Sequence, residues 1–352
     1  MKKITHTALT LVLFPLLLIS ARLYSQDVKL NKGTVLHVKL HGKTLEGNLE
    51  GDSIDRSLAI YLPASYKINP KRHYPVVYFL HGFTDNDSKW YGLTKHWINL
   101  PAILDTVFSQ GGAKEMIFVT PDADTRYRGS MYSNSITTGN WEDFVAKELV
   151  AYMDTHYRTI AKTSSRGLAG HSMGGYGTMR IGERNPNVFS SIYLLSPASL
   201  APVMAPLSTE QMNAIEAVKT FDDFNKADFF TKYLFASAAA WSPNTNKPPF
   251  YSDFPFADGQ MLPAIQAKWI ANAPLASLDQ YIYNLKQLHA IAFDAGDNDI
   301  PGIANSITVL DSELNKYGIK HSFEIYPGTH ISHIGQRISQ KVISFFSDNL
   351  AF

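Results

Sequence analysis

Arg166–Thr178 reads RGLAGHSMGGYGT. A short apolar run ends in a serine with Gly170, Gly174 and Gly175 around it. A nucleophile set at a sharp turn from strand to helix has a strained backbone and close neighbours two residues before and after. Side chains at those two positions would clash. Gly170 and Gly174 remove them, and Gly170-His171-Ser172-Met173-Gly174 takes the G-x-S-x-G form of a nucleophile elbow. This reading predicts a strand before Ser172, a helix after it, and Ser172 at the carboxyl end of the strand. The N–H of Met173 opens the helix and points where an oxyanion would form. The alternative is a glycine-rich turn carrying a solvated serine, which leaves the strand and helix on either side unexplained.

Working outward, "TVLHVKL" and "RSLAIYLP" read as two early strands. "YPVVYFLHG", "EMIFVTPDA", "SSIYLLSPAS", "HAIAFDAGDND" and "HSFEIYPGTH" read as later ones. Near-continuous apolar runs of this kind suit strands buried on both faces. Helical spacing begins near Asn140, with Trp141, Phe144, Val145, Leu149, Tyr152 and Met153 on one stripe. Asn140 is expected to cap that helix, with Asp143 three residues on. "MGGYGTMRIGER", "GIANSITVLDSELNKYG" and "IGQRISQKVISFFSDNL" read as further helices. Strands alternating with helices imply an α/β fold with a mostly parallel central sheet and helices on both faces. Residues 201–288 break the alternation. They are rich in proline and aromatics, with helical fragments in "STEQMNAIEAVK" and "LPAIQAKWIANA", and read as an insertion over the active edge.

The 352 residues carry 32 Lys plus Arg against 31 Asp plus Glu, so there is no basic excess to hold nucleic acid. "MKKITHTALTLVLFPLLLISARLYSQ" has a basic start, an apolar run interrupted by Pro15, and Ser25. It reads as a secretory signal over 1–25, cleaved after Ser25 or Ala21, ahead of one catalytic domain over 26–352. The apolar run is short for a membrane anchor. The expectation is export to the periplasm or beyond, with no stable membrane anchor. The chain has no cysteine, which excludes a thiol nucleophile, disulfides and thiolate zinc sites.

A serine needs a base, and the base needs an orienting acid. Four histidines follow Ser172: His289, His321, His330 and His333. The first two begin strands, at the end opposite the nucleophile. His330 follows a strand's end and is preferred over His333, which starts the last helix. Asp294, Asp297 and Asp299 all qualify by position as the acid. Their loop lacks calcium-site spacing, and His330 with His333 lacks a third ligand, so no metal or other cofactor is expected. Phe83 of "LHGF" is the expected second oxyanion donor through its N–H.

These stretches together, "GHSMGG" above all, resemble the "putative esterase" group of the α/β-hydrolase superfamily. That group includes the esterase D proteins, the feruloyl esterases of carbohydrate esterase family 1 and the mycolyltransferases of the antigen 85 type. The resemblance covers roughly residues 56–199 and 289–352. It implies the α/β-hydrolase fold. Its G-x-x-D loop places the acid at Asp299, its G-x-H places the histidine at His330, and its donors fall on Phe83 and Met173. The implied activity is a secreted serine esterase, with feruloyl or acetyl esters of plant polysaccharides as candidate substrates. An acyltransferase and a non-catalytic carbohydrate-binding relative are the alternatives. The 201–288 insertion departs from the group and is expected to shape substrate choice. Its Trp241, Tyr251 and Trp269 are candidates for an aromatic substrate wall, and Arg126, after the "IFVTPD" strand, for a polar contact.

Overall fold

A computed structural model describes residues 31–202, 207–257 and 260–352. The expected signal segment lies outside the described residues.

Eight strands form one sheet: β1 (Thr34–His41), β2 (Asp55–Leu62), β3 (Val76–Leu80), β4 (Ile117–Pro121), β5 (Arg166–His171), β6 (Ser191–Leu195), β7 (Ala290–Asn298) and β8 (Ser322–Thr329). Their order is β1-β2-β4-β3-β5-β6-β7-β8. β1 and β2 form an antiparallel hairpin, β2 runs antiparallel to β4, and every pair from β4 to β8 is parallel. The helices that concern the site are α1 (Leu100–Ser109), α2 (Trp141–Asp143, Phe144–Leu149 and Val150–His156, the middle stretch π-helical), α3 (Met173–Arg184), α4 (Phe229–Trp241), α5 (Ile303–Lys316) and α6 (Ile334–Arg337, Ile338–Val342 and Ile343–Asn349).

All five residues of β3, β4 and β6 are buried, because helices cover both sides of the sheet. Alternation along each strand divides them between two cores. Val76, Tyr78 and Leu80 pack on the face of α2, α3 and α5, with Phe144, Tyr176 and Leu310. Val77 and Phe79 pack on the opposite face, with Leu104 of α1 and Ile338 and Phe346 of α6. Burying one such side chain stabilises the fold by about 1.5–3 kcal/mol before entropy is counted.

Asn140 does not cap α2 with its side chain. The Asp143 N–H is instead met by Asn134 Oδ1 at 3.1 Å. Asn134 and Asn140 pair in a two-residue antiparallel ladder, and the cross-ladder neighbour takes over the cap.

Between β6 and β7 the chain is mainly helical. Thr209–Ala217 carries a capping box from Ser208 and Gln211, and Pro263–Ala271 starts on proline; both fall in the fragments read from the sequence. The longest helix there, α4, lies outside those fragments. Asp228 caps it by accepting from the Thr231 N–H at 3.0 Å.

Candidate active site

Ser172, Asp299 and His330 are each the first residue beyond a strand: β5, β7 and β8. These strands are parallel, so their carboxyl ends share one edge. There Nε2 of His330 lies 2.8 Å from Ser172 Oγ, and Nδ1 lies 2.6 Å from Asp299 Oδ1. A bulge in the β7–β8 pairing between Gly296 and Asn298 bends the two loops together.

Ser172 sits at φ 58°, ψ −115°, the strained backbone an elbow requires. Its N–H donates to Leu195 O at 3.0 Å, and its carbonyl accepts from Tyr176 and Ala198. The glycines around it are required by close approach. A Cβ on Gly170 would lie 2.3 Å from Gly174 O, and one on Gly174 would lie 2.0 Å from Leu80 O.

Asp299 has a side chain only 1% exposed. Burial pushes its pKa up, but the hydrogen bond and charge of His330 and the Ile300 N–H hold it below the usual carboxylate range. The other aspartates have different partners. Asp294, inside β7, accepts from Arg337 Nη2 and from Tyr193 OH, both at 2.6 Å. Asp297 accepts from the Gly328 N–H at 2.9 Å. His333 is exposed at the N-cap position of α6, in the left-handed region at φ 64°, and its side chain makes no capping hydrogen bond.

Among the described residues, neither the Phe83 nor the Met173 N–H donates a hydrogen bond. Met173 opens α3 beside Ser172, so its N–H and the helix dipole both favour negative charge there. His81 sets the Phe83 peptide. Its Nε2 accepts from the Ala123 N–H at 2.8 Å, which leaves Nδ1 as the donor to Gly82 O at 2.8 Å. In the trans Gly82–Phe83 peptide the N–H points away from that anchored carbonyl. In the sequence, His81 of "LHGF" carries no signal of this role.

A cavity of about 300 Å³ opens beside Ser172. Its lining includes the aromatic residues Phe83, Phe229, Phe230 and Tyr233 and the aliphatic residues Leu200, Ile300 and Ile303. Phe83 meets Phe229 and Tyr233 edge to face at 5.4 and 5.3 Å. The Tyr233 hydroxyl pairs with Ser199 Oγ. Among the described residues, no Asp, Glu, Lys, Arg or His lines this cavity.

The three aromatic wall candidates and the polar candidate Arg126 lie elsewhere. Trp241 and Trp269 are buried edge to face at 5.2 Å, with their indole N–H groups on Ser133 and Ser242. They anchor the insertion. Tyr251 belongs to a turn whose carbonyl accepts from Thr137 Oγ1 at 2.7 Å. Arg126 donates to Glu50 O at 2.6 Å and lies over the Phe221 ring. None of the four lines the cavity beside Ser172. Three residues that do line it, Phe229, Phe230 and Tyr233, sit on α4, where "ADFF" carried an overlooked cap signal.

The family model described as "Putative esterase" matches residues 53–333. The chain belongs to this esterase family. Esterase Rv1288 of Mycobacterium tuberculosis is 31% identical over 147 residues, 40% of this chain and 29% of that protein. The endo-1,4-beta-xylanase/feruloyl esterase of Xylanibacter ruminicola is 30% identical over 146 residues, 41% of this chain and 20% of that protein. The chain therefore spans less than a third of the length of these curated relatives. Among solved structures, a ferulic acid esterase superposes with a TM-score of 0.63 at 20% identity, covering 91% of this chain and 99% of that one. An S-formylglutathione hydrolase from Staphylococcus aureus gives 0.59 at 17% identity, covering 90% and 99%. The esterase-family chain thus has the α/β-hydrolase fold, its sheet mostly parallel and clad in helices.

Proposed function

We propose that this chain is an exported serine carboxylesterase that cleaves esters of an uncharged, apolar acyl group, with hydroxycinnamoyl esters of polysaccharides as the leading class. One observation carries the reading: the hydrogen-bonded Ser172–His330–Asp299 chain opens on an apolar cavity. The feruloyl esterase named among the relatives supports the acyl class. The basic and apolar N-terminal run supports export.

His330 takes the Ser172 proton as Oγ attacks the ester carbonyl, and Asp299 holds the imidazole in the tautomer with hydrogen on Nδ1. The N–H groups of Phe83 and Met173 receive the oxyanion, each contributing about 3 kcal/mol to the transition state. His330 then protonates the leaving alcohol. Water, deprotonated by the same imidazole, releases the acyl group from Ser172. The acyl group lies against Phe83 and Tyr233, where a charged group would be desolvated without a counter-charge.

The test is Ser172→Ala against a panel of p-nitrophenyl and feruloyl esters, with fluorophosphonate labelling of the parent. Loss of hydrolysis in the variant and labelling at Ser172 are expected. Full activity in Ser172→Ala removes Ser172 from the mechanism. Adding a sugar acceptor separates hydrolysis from acyl transfer.

A further inference from the structure

We propose that His171, the residue before the nucleophile, is a positioning residue: its Nε2–H holds the main chain of His330, and its uncharged ring backs the imidazole that takes the Ser172 proton. The inference rests on the reading of Ser172 and His330 as nucleophile and base.

His171 is 3% exposed. Its Nε2 lies 2.8 Å from the His330 carbonyl oxygen, across 159 residues of sequence. A carbonyl only accepts, so Nε2 carries the hydrogen. That carbonyl accepts no other main-chain hydrogen bond among the described residues. His330 lies beyond the end of β8, so strand pairing does not fix it. The His171 bond therefore ties the base to the elbow that carries the nucleophile.

The two imidazole rings lie 4.8 Å apart. During acyl transfer His330 becomes a cation, and a second cation at this distance would oppose it. Geometry keeps His171 neutral. Its Nδ1 is buried with no partner among the described residues, so a second N–H would have no acceptor. Trp90 and Trp97 pack beside the ring, with centroids at 6.1 and 5.7 Å. The charged or titratable groups that face it are His330, Asp85 and Asp299. Asp85 is itself engaged by His96 and Lys89. Burial, then the neighbouring His330, push His171 down to about 4. Folded-state neutrality thus extends well into acid.

The experiment compares His171→Gln, which keeps a donor near the Nε2 position, with His171→Leu, which keeps bulk and removes the donor. His171→Leu is expected to lower kcat roughly 10- to 100-fold, the scale of a misplaced catalytic group, with KM within about twofold. His171→Gln is expected to recover most of that kcat. Parent kcat in His171→Leu overturns the proposal. So do equal kcat losses in both variants alongside equal drops in Tm, which would make the ring a packing element alone. If neither variant folds, nitrogen-15 NMR of the parent decides: a neutral Nε2–H tautomer at pH 6–8 supports the proposal, and an Nδ1–H or doubly protonated ring overturns it. Fluorophosphonate labelling of the parent runs beside these measurements. Its failure would sink the serine-esterase reading itself, whereas a labelled parent with an indifferent His171→Leu sinks only the positioning role.

Discussion

His81 Nδ1 donates to the carbonyl of the next residue, Gly82, at 2.8 Å, and this bond anchors the Gly82–Phe83 peptide. Its direction is fixed because Nε2 is already the acceptor for the Ala123 N–H, so the loop after β3 is pinned to the loop after β4. His81 is fully buried, and its ring contacts Tyr132 at 6.1 Å.

His81→Leu frees the Gly82–Phe83 peptide to rotate. The expected result is a fall in kcat of roughly 10- to 100-fold with KM little changed, because the Phe83 donor matters most once the oxyanion forms. His81→Asn, with an amide donor near the Nδ1 position, should retain more activity. Steady-state kinetics on a p-nitrophenyl ester checks both.

Asp299→Asn keeps the shape of the acid and removes its charge. The amide can offer its N–H to His330 Nδ1, favouring the tautomer with hydrogen on Nε2, which cannot accept from Ser172. We expect kcat to fall by about 10³ to 10⁴. Asp294→Asn provides the contrast. Asp294 pairs with Arg337 in the protein interior, so its loss should lower Tm more than it lowers kcat at a temperature where the variant remains folded.

The elbow, the strands around it and the family were legible in the sequence for a physical reason. Gly170 and Gly174 are forced by backbone approach, and the strands buried on both faces are written as unbroken apolar runs. The lining of the cavity beside Ser172 was not. Trp241 and Trp269 have the composition of a wall, but their N–H groups need partners, and the interior supplies them at Ser133 and Ser242. Phe229 and Phe230 lie at the mouth of the cavity because they open α4, and a helix's direction depends on packing that no local pattern records. Asn140 misled for a similar reason: the residue opposite it in the ladder, Asn134, was equally able to cap.

Phe230→Ala and Tyr233→Ala open the apolar wall. Each is expected to lower kcat/KM for an aromatic acyl ester about tenfold while changing acetyl ester turnover less, since a small acyl group buries less apolar surface against them. Ile303→Asp places a charge in the cavity and should depress aromatic ester turnover further. Ratios of kcat/KM across the ester series provide the measurement, and an unchanged aromatic-to-acetyl ratio would count against this wall as the acyl site.

Gly170→Ala should fail at the level of folding. The added methyl meets Gly174 O at 2.3 Å, and neither backbone can yield without moving Ser172. The expected loss is about 1–3 kcal/mol or more, typical of overpacking, seen as a lower urea midpoint. Gly318→Ala is the control. It has open space around its Cβ position and only its φ of 66° to oppose the change, so its cost should stay near 1 kcal/mol.

Glu183, at the end of α3, is 1% exposed, and burial pushes its pKa up to about 8, against weaker opposition from Arg184 and Arg180. Its Oε2 has no hydrogen-bond partner among the described residues. In the folded protein it holds a proton that the unfolded chain releases above an ordinary glutamate pKa near 4.5. Between roughly pH 4.5 and 8 the folded state therefore binds more protons, and stability falls as pH rises. Glu183→Gln removes this dependence without introducing a charge. We expect its Tm to match the parent near pH 5 and to exceed it increasingly toward pH 8, with a gain on the order of 3 kcal/mol at pH 7 as the upper scale. Thermal melts of both proteins across that range measure the difference. A gap that stayed constant with pH would mean that Glu183 is already ionised in the fold, its charge met by Arg184 at 3.8 Å.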